Sequence, residues 1–279
     1  MSHRSQNRQM FALAGPPPQE VTAGGVGYRL SKVFKHDFFA ATCLYESPAA
    51  KVPKIVVKFG RRQDFCGLPM AWLGQWFCRH EEGIYRTLAG VPGVPRWMGR
   101  VEGGGYAIQF IEGRPLDHQP PPPKGFFDEL RKLFEAVHKH GVAYCDSNKR
   151  SNILIGADGR PWLVDYQLAF RGPAFAPRLL RPIVRAAFEH MCVKDIYHLY
   201  KHKRRMAPDE LTAEEERISR QREGWHLLHR KLTKFYRAAR RAFLQKQLQA
   251  GQLFSPTAEM EDHNQPEKDK WRKLDEPPR

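Results

Sequence analysis

The chain contains 279 residues, 41% of them hydrophobic and 27% charged, a composition typical of a globular protein with one large core or two smaller lobes. The first twenty residues lack the apolar region of a signal peptide, and no uncharged apolar run is long enough to cross a bilayer. Five scattered cysteines without a Cys-x-x-Cys pair argue against a structural zinc site. We therefore expect a cytoplasmic globular protein with free thiols.

Positive charge is concentrated in the second half of the chain. The formal net charge is +16, and residues 171–249 contain 19 lysines and arginines against 8 acidic residues. Such a surface would attract an anionic acceptor, or would contact the inner face of an anionic membrane peripherally, although a solvated helical surface has the same composition. Nucleic-acid binding is disfavoured, because Trp225 and Phe235 follow an apolar seam and do not alternate with basic residues.

The first part of the chain is predicted to be rich in strands. Residues 1–25 are polar and rich in proline and glycine, so we expect a flexible segment there. The apolar spacing of residues 68–88 predicts helix, with Trp72 and Trp76 directed into the core. The predicted strands lie at residues 28–30, 38–45, 55–59, 96–101 and 106–111.

The second part is predicted to be mainly helical. An amphipathic pattern at residues 126–140 predicts a helix, and two short strands joined by a turn at residues 157–159 follow it. From Pro177 onward the chain is helical in character, and apolar residues recur every three or four positions between Trp225 and Ala242.

Two charged residues of the first part have the pattern of an ion pair that positions a phosphate-binding lysine. Lys58 lies on the third predicted strand, and Glu81 lies on the helix that follows it. The ammonium group of a strand lysine can reach the phosphates of a nucleotide, and a glutamate on the next helix would hold it in place. Alone, this pair is a weak indication, since two unrelated surface charges have the same pattern.

Asp146, Asn152 and Asp165 give the stronger indication of chemistry. Asp146 begins a basic loop, Asn152 opens the strand after it and Asp165 closes the next strand, so a hairpin brings their oxygen atoms to one end. Mg²⁺ prefers such oxygen ligands in proteins. In this arrangement Asp146 would accept the proton of an attacking hydroxyl, and Asn152 and Asp165 would hold magnesium.

The order of these five residues resembles that of the protein-kinase-like superfamily. Residues 141–155 and 163–167 look most like the catalytic and metal loops of its compact bacterial branch, the lipopolysaccharide-core sugar kinases, and of the RIO-type kinases. The resemblance implies an α+β bilobal fold, with a small antiparallel-sheet N-lobe, a compact helical C-lobe, ATP between them, and Ile108 and Phe110 in the nucleotide-binding hinge. The corresponding divisions of the chain are a flexible segment 1–25, an N-lobe 26–112, a C-lobe 113–251 and a disordered charged tail 252–279.

The catalytic loop departs from the family pattern in two ways. Tyr144 and Cys145 replace the usual His-Arg, and Asn152 follows Asp146 one position later than usual. Lys149 keeps the position of the loop lysine when it is counted back from Asn152, so a single inserted residue explains the spacing. Asp146 and Lys149 are therefore the expected catalytic residues.

The nucleotide-binding loops depart from the pattern as well. No glycine-rich loop precedes Lys58, so Lys35 and His36 are the candidate phosphate donors, with surface residues of a hairpin tip as the alternative. Tyr166 and Gln167 replace the Phe-Gly of the metal motif, and the missing glycine argues against an in/out switch.

These features predict a phosphotransferase that uses ATP and Mg²⁺ to phosphorylate a hydroxyl of a lipopolysaccharide-type sugar or of a protein serine or threonine. The alternative is a nucleotide-binding pseudokinase, whose basic helices bind a partner or a membrane. The five polar residues favour the enzyme, whereas the altered loops favour the binding module.

Overall fold

A six-stranded antiparallel sheet forms the first lobe. The structure, a computed structural model, describes residues 9–221 and 255–262 together with residues 242 and 246. The strands of this sheet are β1 (Glu20–Ala23), β2 (Val26–His36), β3 (Ala40–Glu46), β4 (Lys54–Gly60), β5 (Trp97–Val101) and β6 (Gly105–Gln109). They lie side by side in the order β1-β2-β3-β4-β6-β5. Alternate residues of β4, Ile55, Val57 and Phe59, are buried, which matches the alternation of side chains along a strand.

The N-terminal segment is more ordered than the sequence indicates. The prediction of a flexible segment at residues 1–25 does not hold for β1, which pairs with β2 in antiparallel register. Phe11 is buried against the ring of His36, and the guanidinium group of Arg61 donates hydrogen bonds to the carbonyl oxygens of Gln9 and Phe11. Because a buried arginine needs acceptors for its N–H groups, these bonds tie the segment to the sheet.

The helix α1 (Ala71–Thr87) packs against the sheet by a different face from the one predicted. Gly74, Glu81 and Tyr85 are buried, and a Cβ atom at Gly74 would lie 2.1 Å from the carbonyl oxygen of Arg61. Trp72 and Trp76 lie outside this face and are 64% and 54% exposed. The prediction that the two tryptophans belong to the core is therefore wrong, because the close approach at Gly74 fixes which side of the helix faces the sheet.

The second lobe is mainly helical. Its helices are α2 (Phe126–Lys139), α3 (Arg181–Met206) and α4 (Ala213–Arg220), and its short strands are β7 (Gly113–Pro115), β8 (Val142–Ala143), β9 (Ile153–Gly156), β10 (Pro161–Leu163) and β11 (Phe170–Arg171). The buried face of α2, with Leu130, Phe134 and Val137, packs in the core of this lobe. The expected α+β fold, with an antiparallel-sheet N-lobe and a helical C-lobe, is thus confirmed.

Part of the C-terminal tail lies on the N-lobe. Residues 252–279 are predicted to be disordered, but residues 255–262 form a turn followed by a parallel bridge between Glu261 and Val33. Thr257 and Glu261 are buried there. The backbone N–H and C=O groups of Val33 bond to the tail, so unpaired groups of the sheet order a segment whose composition alone indicates disorder.

The remaining predictions for the second half concern residues that the structure mostly leaves undescribed. The apolar seam that begins at Trp225 lies outside the described residues, apart from Ala242, which is exposed. None of the helices in the described part of the chain combines the length and the apolar character that a membrane span requires.

Candidate active site

Lys58 is the centre of an ionic cluster between the two lobes. It lies on β4, which is the fourth strand and not the third because β1 precedes it. Its Nζ atom lies 2.9 Å from a carboxylate oxygen of Glu81 on α1 and 2.7 Å from Oδ1 of Asp165. The side-chain oxygen of Gln167 accepts a third hydrogen bond from Nζ at 3.3 Å. The structure therefore brings together three residues that the sequence predicts to act together, and adds Gln167.

Burial and mutual attraction set the protonation of this cluster. Burial raises the pKa of Glu81 to about 7, although Lys58 opposes the change. For Asp165, burial would raise the pKa, but the ammonium group of Lys58 outweighs it and lowers the pKa to about 2. Burial would lower the pKa of Lys58, yet Asp165 and Glu81 together raise it above its usual value. Near neutral pH, Lys58 and Asp165 are therefore a charged pair, and Glu81 titrates beside them.

Because Glu81 titrates in this cluster, the free energy of unfolding should change with pH. Because its pKa is raised from 4.5 to about 7 on folding, the folded protein binds more protons than the unfolded chain between these values. The free energy of unfolding should therefore fall as pH rises from 4.5 to about 7, by roughly 3 kcal/mol at about 1.4 kcal/mol per unit, and then level off.

Chemical denaturation across this pH range measures the effect. The side chain of Gln in Glu81→Gln does not titrate, so the free energy of unfolding of this variant should lack the fall between pH 4.5 and about 7. The control Glu102→Gln removes an exposed carboxylate and should show the same fall as wild type. Parallel profiles for wild type and Glu81→Gln would contradict the assignment.

The loop from Asp146 to Asn152, which the sequence predicts to be catalytic, closes on itself in spite of its extra residue. A short 3₁₀ helix, Arg150–Asn152, takes up the additional length, and the side-chain amide of Asn152 donates a hydrogen bond of 2.7 Å to Oδ2 of Asp146. Lys149 lines the cleft beside Asn152 and Asp165. Asp146, Lys149, Asn152 and Asp165 thus meet at one end of the β9–β10 hairpin, as their spacing predicts.

The residues that replace the usual His-Arg stabilise this loop from inside the protein. Tyr144 is fully buried, and its hydroxyl shares its proton between the carbonyl oxygens of Asn152, directly before β9, and Val164, directly after β10. Cys145 adopts a left-handed backbone conformation with φ of 65°, which is uncommon for a residue with a side chain. A bend with such a conformation needs support from its surroundings.

Asp195 supplies that support, although no sequence pattern indicates this role. This residue of α3 is completely buried, and its carboxylate accepts hydrogen bonds from the backbone N–H groups of Tyr144, at 2.7 Å, and Cys145, at 3.0 Å. His138 of α2 lies 3.0 Å from the same carboxylate. An acidic residue in a basic helix that also contains Glu189 has no local pattern that predicts this role, since its backbone partners lie about fifty positions earlier.

An apolar cleft of about 520 Å³ lies between the lobes next to the ionic cluster. The predicted hinge residues Ile108 and Phe110 line it, and the ring of Phe110 stacks on Phe34 of β2 with 6.3 Å between centroids. Further apolar side chains on both sides of the cleft are Val56, Leu154 and Val164. A flat aromatic or heteroaromatic group suits such a slot, and the polar cluster lies at its inner end.

The two candidate phosphate donors of β2 have different surroundings. Lys35 lines the cleft and forms an ion pair of 2.6 Å with Asp37. His36 is only 3% exposed, and its ring nitrogens bond to the N–H group of Leu13 and the hydroxyl of Thr257. The prediction that His36 binds phosphate is therefore wrong. Successive side chains of a strand point to opposite faces of the sheet, so Lys35 faces the cleft and His36 lies on the other face.

The C-terminal segment places a carboxylate at the edge of the cleft. Asp262 lines the cleft and forms an ion pair of 2.8 Å with Lys32. A carboxylate at this position would repel an anionic ligand of the cleft, and its bond to Lys32 occupies a cation that could bind such a ligand.

We expect Asp262→Asn to bind Mg²⁺-ATP about two- to fivefold more tightly, because partly exposed ion pairs contribute up to about 1 kcal/mol. Isothermal titration calorimetry measures the change, and Glu259→Gln, in the same segment but exposed, is the matched control. Weaker binding by Asp262→Asn would show that the carboxylate supports the site.

No protein-family model and no curated protein sequence matches this chain. Among solved structures, the Rio2 kinase of Chaetomium thermophilum in a complex with ADP/Mg²⁺ and phosphoaspartate is similar at 14% identity and a TM-score of 0.48, covering 66% of this chain and 58% of that one. A second structure of that kinase gives 14% identity and a TM-score of 0.46, with 63% and 58% covered. This chain thus spans somewhat more than half the length of those proteins. Its architecture, a sheet-rich lobe and a helical lobe with a cleft between them, is that of a protein-kinase-like fold.

Proposed function

We propose that the protein is an ATP-dependent phosphotransferase with a hydroxyl acceptor. The observation that carries the proposal is the convergence of Lys58, Glu81 and Asp165 with the Asp146–Asn152 pair at the inner end of an apolar cleft. Phosphoryl transfer requires mainly positioning and charge stabilisation, and this cluster supplies cations for phosphates and a carboxylate for the acceptor.

The roles of the residues follow from their positions. The base of ATP enters the apolar cleft that Val56, Ile108 and Leu154 line, which places its phosphates near Lys58 and Lys35. Lys58, held by Glu81, exchanges its bond to Asp165 for bonds to phosphate oxygens. Asp146 orients the acceptor hydroxyl and takes its proton, and Lys149 stabilises the negative charge that develops on the transferred group.

Asn152 and Asp165 are the proposed magnesium ligands. Both offer oxygen atoms at the cleft, and Asp165 keeps its charge at neutral pH because its pKa is lowered to about 2. Two protein oxygens suit Mg²⁺, which keeps water and phosphate oxygens in its other positions and neutralises phosphate charge. The amide of Asn152 donates its N–H to Asp146, so one residue would connect the metal site with the proposed base.

The acceptor is proposed to be an anionic molecule with a free hydroxyl, either a lipopolysaccharide-type sugar or a protein serine or threonine. Basic side chains surround the catalytic loop: Lys149 lines the cleft, Arg150 is exposed, and Lys201 bonds to Asn148 at 2.8 Å. Such a cluster attracts a negatively charged substrate to the loop.

A pseudokinase is the second candidate, and the altered loops favour it. ADP formation from ATP, measured with Mg²⁺ and with excess EDTA, distinguishes the two candidates. Magnesium-dependent turnover that increases with an added acceptor supports the phosphotransferase. Nucleotide binding without turnover, for every class of acceptor tested, would favour the binding module.

A further inference from the structure

The chain makes a tight turn directly after Asp146. Ser147 and Asn148 are the central residues of this turn, and the backbone N–H of Lys149 closes it by donating to the carbonyl oxygen of Asp146 at 3.0 Å. The backbone N–H of Asp146 donates to the carbonyl oxygen of Tyr144 at 2.8 Å. Because these two bonds are local, the position of Asp146 in the lobe depends on what holds the residues on either side of it.

Helix α3 holds the turn from the inside of the lobe. Nε2 of His202 lies 3.0 Å from the carbonyl oxygen of Ser147, and Nζ of the neighbouring Lys201 donates at 2.8 Å to the side-chain oxygen of Asn148. His202 and Ser147 are only 2% and 1% exposed. A buried carbonyl group needs a hydrogen-bond donor. Because a carbonyl oxygen can only accept, Nε2 of His202 carries the hydrogen atom.

The buried histidine provides a hydrogen bond and not only volume. Burial lowers the pKa of His202 to about 4, so its imidazole is neutral near pH 7. Its Nδ1 atom is buried without a hydrogen-bond partner among the residues that the structure describes. Burying a polar atom in this way is unfavourable, and an apolar side chain of similar size would avoid it. The bond to Ser147 is therefore what distinguishes His202 from a residue that merely fills the core.

Two residues of α3 anchor the chain on both sides of Asp146. Asp195 and His202 are seven positions apart, which is about two helical turns, so both point to the same side of the helix. Asp195 accepts bonds from the two residues before Asp146, and His202 donates to the residue after it. With the backbone fixed on both sides, the hydrogen bond of 2.7 Å from Asn152 is sufficient to orient the Asp146 carboxylate.

We propose that His202 is a positioning residue, which holds the turn after Asp146 and so keeps the Asp146 carboxylate where it can take the proton of the acceptor hydroxyl. The inference rests on the proposed function, which assigns that proton transfer to Asp146. His202 is not among the residues that line the cleft, and it acts through the carbonyl group of Ser147. A displacement of about 1 Å can lower the rate of a reaction about a hundredfold, so a hold on this turn affects the chemistry.

Two substitutions of His202 test the proposal in the full chain. Leucine has nearly the volume of histidine but donates no hydrogen bond, whereas glutamine offers an N–H group near the place of Nε2. We expect His202→Leu to lower the kcat of ADP formation from Mg²⁺-ATP about ten- to a hundredfold, and to change the KM for ATP less than about twofold. Hydrogen–deuterium exchange at the backbone N–H of Lys149, which closes the turn, should be at least about tenfold faster. His202→Gln should recover most of both properties.

The matched control is Arg204→Met on the same helix. Arg204 donates to Oγ and to the carbonyl oxygen of Ser219 on α4, at 2.9 and 3.1 Å, and therefore joins α3 to a different neighbour. Its substitution should lower the melting temperature without changing kcat or the exchange of the turn. All measurements are made at a temperature at which each variant is folded.

The outcomes separate this inference from the proposed function. Wild-type kcat in folded His202→Leu would overturn the inference, as would equal losses of kcat in His202→Leu and His202→Gln. If wild type forms no ADP with any acceptor, water included, the proposed function fails and the exchange measurement decides alone. Faster exchange confined to residues 146–149 in His202→Leu would then support the hold on the turn, and unchanged exchange would overturn it.

Discussion

Asp146→Asn should lower phosphoryl transfer by about 10² to 10⁴-fold while leaving the affinity for Mg²⁺-ATP nearly unchanged. The amide has the shape of the carboxylate but cannot accept the proton of the acceptor hydroxyl. Asp146 bonds to Asn152 rather than to the cluster around Lys58, so the nucleotide contacts should survive the change. The measurement is steady-state turnover together with calorimetric binding of ATP.

A surface substitution provides the comparison for this variant. Asp209 is exposed and lies outside the cleft, so Asp209→Asn should have wild-type turnover. Phosphoryl transfer by Asp146→Asn at the wild-type rate would show that Asp146 is not the proton acceptor, and would contradict the proposed mechanism.

Asp195→Ala should destabilise the protein by roughly 3 kcal/mol or more. The substitution removes the acceptor of two backbone N–H groups, those of Tyr144 and Cys145, at a completely buried position. Each buried group left without a partner costs about 1 to 3 kcal/mol. Because these bonds also hold Cys145 in its left-handed conformation, the catalytic loop should relax and turnover should fall.

Two comparisons separate this positioning role from a general loss of stability. Asp195→Asn keeps one carbonyl acceptor and should recover part of both stability and turnover, whereas Glu189→Ala, exposed on the same helix, should change neither. At a temperature where Asp195→Ala is folded, its kcat should fall, whereas its KM for ATP should change much less. Wild-type kcat in folded Asp195→Ala would show that α3 does not position the loop.

The parts of the site that could be predicted from the sequence are those encoded by local pattern. Lys58 lies on a strand with a clear alternation of buried residues, and the Asp146–Asn152 loop lies between an amphipathic helix and a short hairpin. Periodicity identifies such elements, and their order along the chain then brings the polar side chains to one cleft. Ile108 of β6 and Phe110 after it line the same cleft, whereas their place in a nucleotide-binding hinge is implied by the family resemblance and stays a prediction.

The features that escaped prediction depend on contacts between distant parts of the chain. Arg61 orders the N-terminal segment through carbonyl groups of Gln9 and Phe11, and Val33 pairs with a tail segment more than two hundred positions later. The ring nitrogens of His36 likewise form hydrogen bonds with distant residues, the N–H group of Leu13 and the hydroxyl of Thr257. Composition alone indicates disorder or exposure for these residues, because their partners are supplied by the fold.

The sequence pattern also does not show which face of a helix is buried in this chain. Trp72 and Trp76 have the spacing of core residues but are exposed, since Gly74 on the other side permits close packing with the sheet. Helix α3 and the turn before it likewise expose Ile183 and Leu179 on the outer side, and the helix buries Asp195 on its inner side. Hydrophobic spacing shows that a helix has an apolar face, but the packing decides which face is buried.

The central claim, that the cleft binds Mg²⁺-ATP through Lys58 and Asp165, is tested most directly by thermal unfolding of wild type, Lys58→Met and Asp165→Ala. Each protein is melted with and without ATP and Mg²⁺, and Lys51→Met, an exposed lysine, serves as the control. Ligand at a hundredfold excess over its dissociation constant should stabilise wild type and the control by about 2.7 kcal/mol, and only with magnesium. Lys58→Met and Asp165→Ala should gain little. No stabilisation of wild type by nucleotide, or equal stabilisation of all four proteins, would contradict the proposed site.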